Sequence, residues 1–128
     1  MRRPGFEVRR AGIAGTIARE YGGRLELEFT NGPWETRFHR VARLLEDALG
    51  AEPLSRVEDY DQAYWDYRVG GAVLTLASDA DGGTVLLHLD PSARPALERL
   101  RPALEAAELP ALPALPAAHA ARPWWRFW

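Results

Sequence analysis

The segment 59–67 has the side chains in this chain that are best suited to chemistry. Carboxylates and aromatic rings follow one another closely along it, in the order Asp-Tyr-Asp-Gln-Ala-Tyr-Trp-Asp-Tyr. Paired carboxylates can perform general acid–base work when burial raises the pKa of one of them, and neighbouring rings can supply that burial. A small enzyme that uses Asp59, Asp61 or Asp66 with a histidine is therefore one alternative for the function.

The same segment allows two other interpretations. Tyrosine and tryptophan are favoured at protein interfaces, so Tyr60, Tyr64 and Asp66 are candidate partner-binding residues. The simplest interpretation is a surface loop that leads into a strand, with Trp65, Tyr67 and Val69 facing the core. Tyr64, Asp66 and Arg68 would then face outward.

The other groups able to hold a metal are poorly placed for it. The three histidines, at positions 39, 88 and 119, do not form a pattern such as His-x-x-x-His. His39 is expected to face solvent on the flank of a helix, and His88 is expected to be a hydrogen-bonded histidine within a sheet. The run 79–83 begins as calcium loops do, but its twelfth position is Asp90 rather than glutamate, so we interpret it as a hairpin turn. No metal, cofactor or catalytic residue is predicted.

The aromatic segment, residues 119–128, ends in Pro-Trp-Trp-Arg-Phe-Trp. So much apolar surface is an aggregation hazard in water, so we expect it to have a destination. Its partner-binding candidates are Trp124, Trp125, Phe127 and Trp128. Three destinations are open: its own domain, a partner protein or second copy, and a membrane interface, where tryptophan is favoured and Arg122 and Arg126 could meet headgroups.

Length and charge limit the class of protein. The chain has 128 residues and a formal net charge of −2, from 16 basic and 18 acidic residues. This length allows one domain with a core, and the small charge gives no field that would attract nucleic acid. All basic residues are arginine, which is typical of a GC-rich bacterial genome. No small-molecule partner is indicated by any motif.

The expected compartment is the cytoplasm. There is no cysteine, which excludes disulfides and thiolate chemistry. No apolar segment follows the basic first residues as in a secretory signal, and no apolar run approaches the ~20 residues that span a bilayer.

A β-hairpin is predicted on either side of Gly22-Gly23, because apolar and polar residues alternate over 13–18 and 24–30. A two-residue loop would place Ile17 opposite Glu28 and mix apolar with charged side chains on one face. An odd-numbered loop would pair residue 17 with residue 27 and keep the apolar residues together. We therefore predict the odd-numbered loop, with Glu20 and Arg24 facing each other across the turn.

An amphipathic helix is predicted to begin at 31–33 and to end before Gly50. Its apolar stripe consists of Trp34, Phe38, Val41, Leu45 and Leu49. Arg40, Arg43, Glu46 and Asp47 are predicted on the opposite, polar side.

Four strands and a second helix are predicted after the first helix. Alternating runs separated by glycine-rich turns indicate strands near 54–59, 64–69, 72–78 and 84–89. Asp90-Pro91 then begins a helix with the stripe Leu97, Leu100, Leu104 and Ala107. Because an interior proline costs ~3 kcal/mol, we expect a kinked helix or two short helices joined near Pro102.

The predicted fold is α+β: a two-layer sandwich of a five- or six-stranded antiparallel meander sheet with two helices on one face. One domain, 1–108, has the order β-β-α-β-β-β-β-α. A Leu-Pro-Ala arm of polyproline character (109–118) and the aromatic segment (119–128) follow it.

The expected function is a non-catalytic binding or adaptor module whose aromatic segment docks to a partner protein or to its own domain. The small enzyme and peripheral membrane attachment remain the alternatives.

Overall fold

The computed structural model describes residues 6–11, 16–30, 34–59, 61–78 and 83–107, with the backbone alone for 6–11 and Trp34. The strands are β1 Phe6–Ala11, β2 Thr16–Tyr21, β3 Arg24–Phe29, β4 Glu52–Glu58, β5 Ala63–Val69, β6 Ala72–Ser78 and β7 Thr84–Leu87. The helices are α1, Trp34–Arg43 with a π-helical continuation Leu44–Ala48, and α2, Arg94–Ala106. Several predicted features lie outside the described residues: the first helix's beginning at 31–33, Tyr60, most of the turn at 79–83, and the arm and aromatic segment.

All seven strands form one antiparallel sheet in the order β1-β2-β3-β7-β6-β5-β4. The α+β fold class is confirmed, and the six predicted strands are joined by β1 at one edge. The chain crosses from β3 through α1 to the far edge and returns as a meander, so that β7 pairs with β3.

The β2–β3 hairpin has the two-residue loop, and the predicted odd-numbered loop is wrong. Ile17 lies opposite Glu28, Ala18 opposite Leu27 and Tyr21 opposite Arg24. Gly22 and Gly23 have φ values of 56° and 84°, and a turn with positive φ at both central residues matches the twist of the flanking strands. Turn geometry therefore outweighs the apolar pattern, and Ile17 lies on the face opposite the core.

The apolar stripe of α1 is confirmed where its side chains are described. Phe38, Val41 and Leu45 are buried, and Leu49 packs against the core. Gly50 ends the helical segment with φ of 66°. The π-helical turn, in which the Leu49 N–H donates to the Leu44 carbonyl at 3.2 Å, was not predicted.

The predicted position of Glu46 on the polar side of the first helix is wrong. Its half-buried carboxylate lies in the π-helical turn and accepts a hydrogen bond from Tyr67 at 2.7 Å. Leu44 and Leu45, in the same turn, are buried.

α2 is one helix with Pro102 inside it, so two short helices are not formed. Leu97 and Leu104, on either side of Pro102, are fully buried, and this packing offsets the hydrogen bond that the proline lacks. A 3₁₀ turn, Pro91–Ala93, comes directly before α2. Asp90 caps this turn by accepting a hydrogen bond from the Ser92 N–H at 2.9 Å.

Both helices pack on the same face of the sheet. One core cluster joins α1 and α2 to the inward side chains of the central strands, among them Leu27, Trp65, Leu74 and Leu86. Within the described ranges, no helix has the length and apolar character that crossing a membrane requires.

Candidate partner-binding surface

The face of the sheet opposite the helices is called the open face, because no described element covers it. Two cross-strand rows run along it. The first is Ser55, Asp66, Thr75, Leu87, Glu26 and Arg19. The second is Val57, Tyr64, Ala77, Val85, Glu28 and Ile17. Tyr21, Arg24, Glu52, Arg68 and Val73 complete the open face.

Large apolar side chains of the open face are accessible. Tyr21, Val57, Tyr64 and Val73 expose 53%, 60%, 44% and 42% of their surface. Tyr64 and Val73 lie on the adjacent strands β5 and β6 and flank Asp66. Exposed aromatic and aliphatic side chains interspersed with charged ones on an antiparallel sheet suit an interaction site.

Asp66 is the carboxylate at the centre of this surface. Its Oδ1 accepts from the Thr75 hydroxyl at 2.7 Å and its Oδ2 accepts from the Ser55 hydroxyl at 3.1 Å. Thr75 is buried and Asp66 is half-buried, so the three side chains hold the carboxylate in one orientation. A carboxylate oxygen can accept more than one hydrogen bond, which leaves Asp66 able to bind a further donor.

The other carboxylates of the open face are paired with arginines. Arg19 contacts Glu28 at 2.7 Å, Arg24 contacts Glu26 at 2.6 Å, and Arg68 contacts Glu52 at 3.5 Å. Asp66 has only hydroxyl partners within the described part of the chain. The open face therefore has one negative charge that no described arginine neutralises, beside exposed apolar side chains.

The predicted division of β5 into two faces is confirmed. Trp65 and Tyr67 are fully buried beneath the helices, and Tyr64, Asp66 and Arg68 lie on the open face. The Tyr64 hydroxyl donates to the Gln62 amide oxygen at 3.3 Å. Of the residues predicted to bind a partner, Tyr64 and Asp66 thus lie together, while Tyr60, Trp124, Trp125, Phe127 and Trp128 lie outside the described residues.

A second group of polar residues, the Glu46 cluster, lies on the helix side next to β4 and consists of Glu46, Arg56, Glu58, Trp65 and Tyr67. The Tyr67 hydroxyl donates to Glu46 Oε2 at 2.7 Å, and Arg56 contacts the same carboxylate at 3.4 Å. The Arg56 guanidinium also lies 4.5 Å from the Trp65 ring centroid, and Trp65 Nε1 donates to Glu58 at 3.1 Å. Sequence periodicity missed this group because its contacts join residues that are far apart along the chain, such as Glu46 and Tyr67.

His39 borders the Glu46 cluster, and its predicted solvent-facing position is wrong. Its ring packs edge-on against the rings of Trp65 and Phe38. The distances between ring centroids are 5.7 Å to Trp65 and 5.4 Å to Phe38. Burial and, secondarily, the positive charge of Arg56 lower the pKa of His39 from 6.5 to about 4. Burial and the hydrogen bond to Glu46 raise the pKa of Tyr67 well above its usual range. Both residues are therefore neutral at pH 7.

His88 is a hydrogen-bonded histidine within the sheet layer, as predicted. It is 2% exposed, its Nε2 accepts from the Leu25 N–H at 3.0 Å, and its Nδ1 lies 3.0 Å from the Asp90 carbonyl. The side chain thus extends the β3–β7 pairing beyond Leu87.

The sheet separates Asp66 from His39 and His88, the two described histidines of the enzyme alternative. Asp66 is on the open face, while His39 and His88 are on the helix side of the sheet. Asp59 and Asp61 are exposed. No group of three metal-ligating side chains occurs within the described ranges.

Comparison with protein-family models, with curated proteins and with solved structures found no match to this chain.

Proposed function

We propose that this protein is a small non-catalytic binding module, with the aromatic segment 119–128 as its docking element. The observation that carries the proposal is the open face, where exposed Tyr64 and Val73 flank an oriented carboxylate, Asp66, that lacks a described arginine partner. This surface suits an apolar segment that also contains a cation. The aromatic segment has that composition, with four large rings and Arg122 and Arg126.

The polar groups on the other side support a binding role over a catalytic one. The Glu46 carboxylate is satisfied by Tyr67 and Arg56, and His88 is satisfied by Leu25 and Asp90. Groups that are already hydrogen-bonded within the protein hold the fold together and are poorly placed to act on a substrate.

The test compares the full chain with a chain that lacks residues 119–128. The deletion removes three of the five tryptophans, so the difference in fluorescence reports the aromatic segment. If the segment docks, its emission is blue-shifted and protected from acrylamide, and any self-association seen by light scattering is lost on deletion. The shortened chain should keep its far-ultraviolet circular dichroism and its cooperative unfolding.

A matched control replaces the four aromatic residues of the segment by serine and keeps the chain length. It should behave as the deletion does. The proposal is contradicted if the difference emission is that of tryptophan in water, or if both variants unfold, because the segment would then belong to the core.

A further inference from the structure

We infer that the occupant of the open face is the protein's own aromatic segment, with Arg126 or Arg122 bound at Asp66. The inference rests on the proposed function and makes it more specific, because it selects the same chain over a second copy, another protein or a membrane. Three features of the described residues support it: the point where α2 ends, the distance to be crossed, and the charge of the open face.

α2 ends beside the sheet. The Thr16 hydroxyl, at the beginning of β2, lies 3.5 Å from the Leu104 carbonyl in the last turn of α2. The side chain of Thr16 is on the helix side, and that of the next residue, Ile17, is on the open face. The chain after Ala107 therefore starts at the end of a strand, next to the boundary between the two faces.

The intervening chain is long enough to reach Asp66. From β2 to β5 there are four strand spacings, which amount to ~19 Å across the sheet. In polyproline form, the nine residues 109–117 would by themselves span ~28 Å. The eight residues 118–125 remain to pass around the end of the sheet before Arg126.

The tether favours the same chain over a second copy. A connected segment that can span to its site has an effective concentration of about millimolar order, so a second copy at lower concentration competes poorly. The arginines of the segment match the negative charge at Asp66, and an arginine fork suits a carboxylate held in one orientation by Ser55 and Thr75. The rings would cover Tyr64 and Val73.

Disulfide trapping in the full chain tests this arrangement. The protein has no cysteine, so the pair Val73→Cys and Ala121→Cys defines a single possible intramolecular bond. The control pair is Glu98→Cys and Ala121→Cys, because Glu98 is an exposed residue of α2 on the helix side. We expect the Val73 pair to close at least about tenfold faster in dilute solution, which corresponds to a docking preference of about 1.4 kcal/mol.

The contribution of Asp66 to docking is tested in the chain with the Val73→Cys and Ala121→Cys pair. Asp66→Asn should slow closure of the Val73 pair, whereas Asp61→Asn, at an exposed carboxylate, should leave the rate unchanged. Retained circular dichroism shows that the variants are folded.

The inference is overturned by equal rates for the two pairs, or by disulfides that form only between chains and fail to form when the protein is diluted before oxidation. It is also overturned if no bond forms and the tryptophan emission shifts blue only with anionic phospholipid vesicles. In these last two outcomes the segment still docks, to a second copy or to a membrane, so failure of the inference is distinct from failure of the docking role.

Discussion

At the scale of the residue, the side chains with the most perturbed acid–base properties lie on the helix side of the sheet. Tyr67, Arg56 and Glu46 form one connected group, and His39 packs against Trp65 beside it. The pKa values of His39 and Tyr67 are shifted chiefly by burial, and the polar atoms of Tyr67, Glu46 and Arg56 contact one another. The group is therefore structural, and its contribution is measurable as stability.

His39 makes the stability of the protein depend on pH. Its pKa is about 4 in the folded state, below the ~6.5 of an unfolded chain, so the unfolded state binds the proton first. Stability is therefore present in full above pH ~6.5 and falls as the pH is lowered towards 4, by at most about 3 kcal/mol from this residue. Denaturant unfolding at a series of pH values measures this loss of stability.

The control for this prediction is His39→Gln. Subtracting its curve from that of the natural chain removes the contribution of the carboxylates. Two parallel curves between pH 7 and pH 4 would contradict the lowered pKa.

The Tyr67 hydroxyl stabilises the Glu46 cluster. Tyr67→Phe deletes only the oxygen that donates to Glu46 at 2.7 Å, and a hydrogen bond to a charged acceptor contributes about 1.5–3 kcal/mol. The free energy of unfolding should fall by about that amount. Tyr64→Phe is the matched control, because its hydroxyl donates to Gln62 at an exposed position, and we expect a change within about 0.5 kcal/mol. Equal effects of the two substitutions would show that the Tyr67–Glu46 hydrogen bond adds nothing to the free energy of unfolding.

At the scale of the element, two glycine pairs determine the register of the hairpins. Gly22-Gly23 and Gly70-Gly71 all have positive φ, with values of 56°, 84°, 53° and 82°. A two-residue turn of this type aligns the strands on either side without an unpaired residue. The register in turn decides which side of β2 meets the core.

Substitution of Gly22 tests the role of the turn. No atom lies within 4 Å of a Cβ built at Gly22, so any cost comes from the backbone conformation alone. Gly22→Val should lower the free energy of unfolding by about 1–2 kcal/mol. Gly22→Asn should be tolerated within about 0.5 kcal/mol, because asparagine adopts positive φ at this turn position. Thermal or urea unfolding separates the two, and equal costs would contradict the assignment of the turn.

At the scale of the whole molecule, the protein has two different sheet faces. One is covered by α1 and α2 and contains Trp65, Tyr67 and the aliphatic core. The other has paired charges, exposed apolar side chains and Asp66. The disulfide pairs at Val73 and Glu98 contrast these two faces, and the outcome decides whether the open face is covered from within the chain.

Much of the fold follows from local pattern in the sequence. Alternation over β5 predicted which of Trp65 and Asp66 is buried, and helical spacing predicted the inward positions Phe38, Val41 and Leu45. These predictions succeeded because side-chain periods of two and 3.6 residues are properties of the local backbone. Tyr64 and Asp66 were also predicted to share a surface on this basis.

The sequence by itself thus determined the class of fold, the presence of strands β2 to β7 and of two helices, and the two faces of β5, because each depends on neighbours along the chain. Only the tertiary structure decided the β2–β3 register, the pairing of β7 with β3, the inward turn of Glu46 and the burial of His39. Each of these depends on twist matching or on contacts between residues far apart in sequence, such as Glu46 with Tyr67. That no described arginine pairs with Asp66, unlike the other carboxylates of the open face, likewise becomes visible only when the six strands β2 to β7 lie side by side.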